Sequence, residues 1–261
     1  MSAGLLIPMA SLSGTPGTGT AGNYPLQFTA TNGVGSDDVQ NFSLTVNDAV
    51  CLAAPLNLTA WFPGEGDATD AKGGLNGTAL NGAGFAAGKV GQGFTFNGST
   101  AVVQVPDNAA WNFGANDFTV QTWVKFNVLT SQDILVGHST GSGSGNKWIF
   151  WRNAGKLEFH LNGSAVSNIT SDTSFTPTVG QWYHVALVRN ANTYKFYVDG
   201  AQNGTDRFDS NIVPTAVAPL TLGQAEALPS LNGMLDEIQI FDRALTGAEI
   251  ASVYNARIKG L

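Results

Sequence analysis

Short stretches of alternating apolar and polar residues run through almost the whole chain, separated by glycine, asparagine, serine and proline. Runs rich in β-branched and aromatic residues fall at 26–31, 41–46, 93–96, 102–105, 118–126, 133–137, 147–152, 156–161, 182–189, 193–198, 219–222 and 234–241. A period of two sends successive side chains to opposite faces of a strand. The separating residues supply the fixed or positive φ that turns need. Such a chain packs as a β-sandwich or jelly roll rather than as α/β layers, so the expected fold class is all-β. One helix is predicted. Thr246-Gly247-Ala248-Glu249 is a capping box in which hydroxyl and carboxylate each satisfy a terminal amide. Ala248, Ile250, Ala251 and Val253 then give a short apolar face, expected to cover a sheet edge or end.

Composition removes several function classes. The net charge is −7, 12% of residues are charged and 43% are hydrophobic, unlike an acidic disordered chain. The acidic balance excludes the basic footprint that nucleic-acid binding needs. No apolar run approaches the roughly 20 residues of a membrane span. The single cysteine, Cys51, excludes an internal disulfide and a Cys-based zinc cluster. Few charges with abundant Gly, Ser, Thr and Asn fit a bacterial protein exported to the cell surface or beyond. Residues 4–12 are mildly apolar but lack the basic stretch of a signal peptide, and Met1 reads as the start of a gene fragment.

A boundary is expected near 47–55, dividing the chain into 1–50 and 51–261. Before it, residues 24–31 and 39–46 predict a hairpin, and an isolated hairpin is marginal in water. Ser13-Gly14-Thr15-Pro16-Gly17-Thr18, the stretch from Tyr24-Pro25-Leu26 to Asn32-Gly33-Val34-Gly35, and Phe42-Ser43-Leu44-Thr45-Val46 together resemble the C-terminal half of bacterial Ig-like surface repeats. The missing half is expected from the jelly roll, an upstream segment or another chain. Strand donation through residues 1–48 builds a homo-oligomer or filament; a truncated domain boundary is the plainer alternative.

From Leu58 onward a second pattern runs in order. It comprises Ala60-Trp61-Phe62-Pro63-Gly64-Glu65-Gly66, Asp70, Gly73-Gly74-Leu75-Asn76-Gly77-Thr78 and the 88–98 stretch ending Phe96-Asn97-Gly98. Asp117-Phe118-Thr119-Val120-Gln121-Thr122-Trp123-Val124, Gln181-Trp182-Tyr183-His184-Val185-Ala186 and Phe196-Tyr197-Val198-Asp199-Gly200 follow. Leu231-Asn232-Gly233-Met234-Leu235-Asp236-Glu237-Ile238 and Arg243-Ala244-Leu245 close it. Over residues 56–256 this resembles a laminin-G-like jelly-roll domain of the concanavalin A-like lectin/glucanase superfamily. The resemblance implies a concanavalin A-like β-sandwich, but the fold hosts lectins, adhesins, glycosidases and lyases alike. Trp123 and Trp182 are expected to be core anchors.

The resemblance also implies a structural calcium ion where the first and last strands meet. Its candidate ligands are Asp236, the Gly98 carbonyl, a carbonyl near Phe62, and Asp70, with Asp67 in reserve. Asn97-Gly98 stands where the family often has Asp-Gly. The competing reading has Asp70 and Asp236 capping turns through backbone amides.

For a ligand, Lys147-Trp148-Ile149-Phe150-Trp151-Arg152 is aromatic on both faces, so Trp148 or Trp151 points out of the core. An outward Trp beside Arg152, Glu158 and His160 suits a sugar, whose C–H faces stack on indole. The alternative packs that Trp under a loop such as 141–145. Catalysis needs converging groups, such as two carboxylates about 5–9 Å apart. The face of Glu237 continues with Gln239 and Phe241, so a second carboxylate is lacking there. The three histidines show no metal-binding spacing. The expected function is a non-catalytic extracellular module that recognises carbohydrate. The alternatives are a structural subunit of a surface fibre or adhesin, and a jelly-roll glycosidase or polysaccharide lyase.

Overall fold

The computed structural model describes residues 22–31, 33–46, 55–143, 145–226 and 228–256. The chain divides into two compact units, Met1–Val50 and Cys51–Leu261. The Ser13 part of the Ig-like pattern, Cys51 and most of the expected boundary lie outside the described residues.

In the first unit, β1 (Gly22–Ala30) and β2 (Asp38–Val46) pair antiparallel, with Leu26 opposite Phe42 and Gln27 opposite Asn41. Cross-strand partners share a face. Leu26, Phe28, Phe42 and Leu44 therefore line one face, and Asn23, Gln27, Asn41 and Ser43 the other. Phe28 and Phe42 stack with centroids 5.0 Å apart. Among the described residues nothing identifies this ribbon as Ig-like.

The second unit contains β3 (Leu58–Phe62), β4 (Thr78–Leu80), β5 (Gly84–Ala87), β6 (Gln92–Asn97), β7 (Val102–Val105), β8 (Phe118–Phe126), β9 (Gln132–Ser139) and β10 (Lys147–Asn153). These are followed by β11 (Lys156–Asn162), β12 (Val166–Thr170), β13 (Trp182–Asn190), β14 (Thr193–Val198), β15 (Ala201–Gln202), β16 (Arg207–Phe208), β17 (Leu220–Leu222), β18 (Asn232–Phe241) and helix α1 (Gly247–Asn255). They form a seven-stranded sheet, β12-β11-β10-β9-β17-β7-β4, and a nine-stranded sheet, β15-β14-β13-β8-β18-β6-β5, with β16 beside β14 and β3 beside β18. This is the all-β jelly-roll sandwich with a short C-terminal helix.

Alternation explains the core. Val120, Val124, Leu187, Leu235 and Ile240 of one sheet pack into the same cluster as Leu135, Phe150, Phe159 and Leu222 of the other. The last strand closes the fold. Its first half pairs with β6, Leu235 opposite Phe94, and its second half with β3, Ile238 opposite Phe62. The register shifts between Asp236 and Gln239, where one neighbour gives way to the other.

The capping box of α1 forms: Glu249 N donates to Thr246 Oγ1, and Thr246 N donates to the Glu249 carboxylate. The helix covers a sheet face rather than an edge or end. Ile250 and Leu245 pack with Ala186, Val188, Tyr197 and Phe241 on the outer side of the nine-stranded sheet. Thr246→Ala is expected to cost about 1 kcal/mol, read as a lowered denaturation midpoint; an unchanged midpoint rejects that role. No helix among the described residues is long and apolar enough to cross a membrane.

Candidate functional site

The outer face of the seven-stranded sheet sorts the sequence-predicted ligand residues. Trp148 lies inward. It is fully buried with Phe113 and Phe159, and its Nε1 donates to the Trp111 carbonyl. Arg152 also leaves the expected site. Its guanidinium pairs with Asp133, Nη1 to Oδ2 at 2.8 Å, and donates to the carbonyls of Thr130 and Phe175. It fastens two loops to the β9–β10 ladder, a structural role that sequence spacing does not reveal. Both residues are corrections to the expected sugar contacts.

Trp151, Glu158 and His160 do come together. Strict alternation along β10 turns Trp151 outward like Ile149, and it joins Ile134, Ile149 and Ala225, with Leu228 packed alongside; the register shift opposite Phe150 and Trp151 is taken up by β9, where Leu135 and Val136 both face the core. The covering loop is therefore at 224–228, not at 141–145. Gly137 admits it: a Cβ there would stand 2.7 Å from that of Ala225. The loop is tied down by the Lys147–Glu226 ion pair, and Gln224 Nε2 donates to the carbonyls of Glu226 and Leu228. Trp151 Nε1 and Asn153 Nδ2 donate to Glu158 Oε1, and Thr170 Oγ1 to Oε2. The His160 ring lies 5.7 Å from that of Trp151, and its Nδ1 meets Asn168 Oδ1 at 2.6 Å. Asn168 is exposed, while His160 and Thr170 are half-buried. Sequence reasoning passed over Asn168 and Thr170. The signal was available only as the outward period of β12, which pairs Asn168 with His160 and Thr170 with Glu158. Trp151 and Glu158 are each 6% exposed and correct the expected sugar contacts by supporting the face from within; the groups left open to hydrogen bonding with a polar ligand are the imidazole, amide and hydroxyl of His160, Asn168 and Thr170.

The outer face of the nine-stranded sheet holds a second polar group. Glu237 has φ 53 and sits in the β18 irregularity. Strict alternation would put Asp236 and Glu237 on opposite faces, yet both serve this one, correcting the expectation that Glu237 stands without a second carboxylate. Trp61 Nε1 donates to Glu237 Oε2 at 2.7 Å. Lys89 N and Val90 N donate to Asp236 Oδ2 at 2.6 and 3.0 Å. Gly88 permits that turn, since a Cβ on it would come within 2.5 Å of Asp236 Oδ2. Burial pushes the Asp236 carboxyl up to about 7, against the pull of the two amides and with help from the Glu65 charge. Burial also raises Glu237 to about 8, assisted by the Asp236 charge and opposed by the Trp61 hydrogen bond. Both are closed off from solvent, Asp236 at 0% exposed and Glu237 at 4%, so this carboxyl pair is not presented to a polysaccharide. Trp123 is buried here on the outer face, beneath Tyr254 of α1, and Trp182 is only half-buried with Lys125 over its ring; neither is an anchor between the sheets.

The expected calcium ligands are not gathered. Gly98 follows Asn97, which pairs with Asn232, four residues along β18 from Asp236. Asp70 accepts from the amides of Trp61, Lys72 and Leu75, so it caps its turn. Phe62 stands opposite Ile238 with its ring in the core. Among the described residues no three His, Cys, Asp or Glu side chains are grouped as metal ligands. The residues present do not fit the implied ion.

A family profile described as the concanavalin A-like lectin/glucanases superfamily matches residues 97–251, more than half of the chain. The chain belongs to this superfamily. No curated protein sequence matches it. Solved structures are similar to it at low identity. One is domain 4 of AbnA, an extracellular GH43 arabinanase from Geobacillus stearothermophilus, in complex with arabinotriose. It matches at TM-score 0.65 and 21% identity, over 76% of this chain and 98% of that one. The binding domain of Paraclostridial Mosquitocidal Protein 1 matches at 0.62 and 19%, over 76% and 52%. The receptor binding domain of botulinum neurotoxin C/D mosaic serotype matches at 0.60 and 16%, over 77% and 51%. The chain thus spans about half the length of these toxin domains. At such identities the likeness is one of fold.

Proposed function

We propose that the jelly roll is a carbohydrate-recognition module of a secreted or surface protein, binding on the outer face of β10, β11 and β12. The carrying observation is the accessible row His160–Asn168–Thr170, held from beneath by the buried Glu158 and Trp151. Sugar hydroxyls pair with such groups. That a domain of similar fold is in complex with arabinotriose supports an oligosaccharide as the ligand. The test is calorimetric titration with arabinotriose and a glycan array. His160→Ala with Asn168→Ala is expected to weaken binding at least tenfold at an unchanged melting temperature. No glycan bound, or equal affinity in the double variant, rejects the reading.

A second role, for residues 1–48, is self-association. It is favoured by the apolar face of the β1–β2 ribbon, on which Phe28 is 49% and Phe42 38% exposed. Large exposed apolar patches mark interaction surfaces. Light scattering is expected to show assemblies that dissolve when residues 1–48 are deleted; a monomeric full chain overturns this.

A further inference from the structure

A hydrogen bond has a direction, and the partners around the row on β11 and β12 fix the direction of each group in it. Glu158 Oε1 accepts from Trp151 Nε1 and Asn153 Nδ2, both at 3.0 Å, and its Oε2 accepts from Thr170 Oγ1 at 2.7 Å. A carboxylate only accepts, so the single hydroxyl proton of Thr170 points into the protein. The longer contact of Thr170 Oγ1, to the Asn168 carbonyl at 3.5 Å, draws on the same proton. Thr170 therefore turns lone pairs outward.

His160 and Asn168 are fixed in the same way. Asn168 Oδ1, which meets His160 Nδ1 at 2.6 Å, is a carbonyl oxygen and accepts, so Nδ1 carries the proton. In the neutral imidazole Nε2 is then an acceptor. It has no hydrogen-bond partner among the described residues and is not enclosed. Asn168 Nδ2 is left to donate. The half-buried His160, the exposed Asn168 and the half-buried Thr170 thus present acceptor, donor and acceptor in turn.

The charges around the row favour the same kind of ligand. All three donors to Glu158 are neutral groups. Of the two lysines on this face, Lys147 is paired with Glu226, and Lys156 donates to the Asp172 carbonyl at 3.4 Å. A uronate or sulfate group has only acceptors, and would set them against acceptors above a carboxylate that no cation neutralises. A sugar hydroxyl donates as well as accepts. On the basis of the carbohydrate-binding role, we propose that the row selects uncharged glycans and turns acidic ones away, with Glu158 as the positioning residue that holds Thr170 as an acceptor.

The experiment applies the full chain, in mildly alkaline buffer, to a glycan array of matched pairs that differ only in a hydroxymethyl or a carboxylate on the ring. Glucosides are set against glucuronides and galactosides against galacturonides, and calorimetry follows on the pair that binds. The neutral member is expected to bind at least tenfold tighter. In Glu158→Gln the side-chain oxygen still accepts from Trp151 and Asn153, but the amide donates to Thr170 and turns its proton outward. That variant is expected to narrow the preference at least fivefold. If it melts early, Thr170→Ser and Thr170→Val serve: serine keeps the neutral-glycan affinity, and valine, which has no acceptor, lowers it at least fivefold. Acidic members bound as tightly as neutral ones overturn the selectivity and leave the carbohydrate role standing, whereas no glycan bound overturns both. A preference unchanged in a stable Glu158→Gln, or equal binding by the serine and valine variants, also overturns the proposal.

Discussion

Arg152→Met is expected to destabilise the jelly roll by about 3–5 kcal/mol, the cost of leaving one member of a buried ion pair alone. Arg152 is 6% and Asp133 1% exposed. Without the guanidinium, Asp133 keeps only Thr130, whose N and Oγ1 donate to Oδ1 at 3.1 and 2.7 Å. The carbonyls of Thr130 and Phe175 lose their donor as well. For a unit of this size the melting temperature should fall by roughly 10 °C. Arg152→Met with Asp133→Leu should recover much of the loss, because removing both charges avoids the orphan. Urea denaturation of the single and double variants decides the matter. A single variant as stable as wild type would show that the pair contributes nothing. The same data separate the structural role of Arg152 from the sugar contact that its place in the Trp-rich strand implied.

The second large effect is the pH profile. Asp236 and Glu237 titrate near 7 and 8 when folded and near about 4 when unfolded. Between those limits the folded chain binds more protons, so stability falls as pH rises. Their contribution is complete below about pH 4 and gone once pH has passed through about 8. The drop between pH 5 and 9 should be on the order of a few kcal/mol. His184 acts with the opposite sign. Burial depresses it to about 4, so its contribution is present above about 6.5 and drains as pH falls toward 4. The expected curve declines as pH rises toward 8, where Asp236→Asn with Glu237→Gln flattens it; below about 6.5 the two carboxyls outweigh His184, so stability still rises toward acid but less steeply, and His184→Gln steepens it. Denaturant midpoints at unit steps from pH 4 to 9 measure this; a wild-type curve level from pH 5 to 9 removes the buried carboxyl pair from the account.

How much was legible follows from which residues obey strict alternation. Phe159 lies inward and Glu158 and His160 outward, as the period of two in β11 requires. Leu187 faces the sandwich while Val188 meets α1, as an apolar residue on each face of β13 implies. Where alternation breaks, sequence reasoning went astray. The Asp236/Gln239 shift brings two consecutive carboxylates of β18 to one face, and the β9 shift opposite Phe150/Trp151 brings Leu135 and Val136 both inward; a bulge depends on what lies across the strand rather than on the strand's own residues.

The period of two, the turn residues between the runs and the capping box are local chemistry. By themselves they determined an all-β sandwich ending in a short helix, and they placed β11's polar side chains outside. Tertiary structure alone decided that Trp148 is core while Trp151 lies under the 224–228 loop, that Arg152 pairs with Asp133, and that Asp70 and Gly98 stand apart from Asp236. It also set Lys89 over Trp123. Those outcomes depend on register between strands far apart in the chain, and register is a property of the packed pair, invisible in either strand alone.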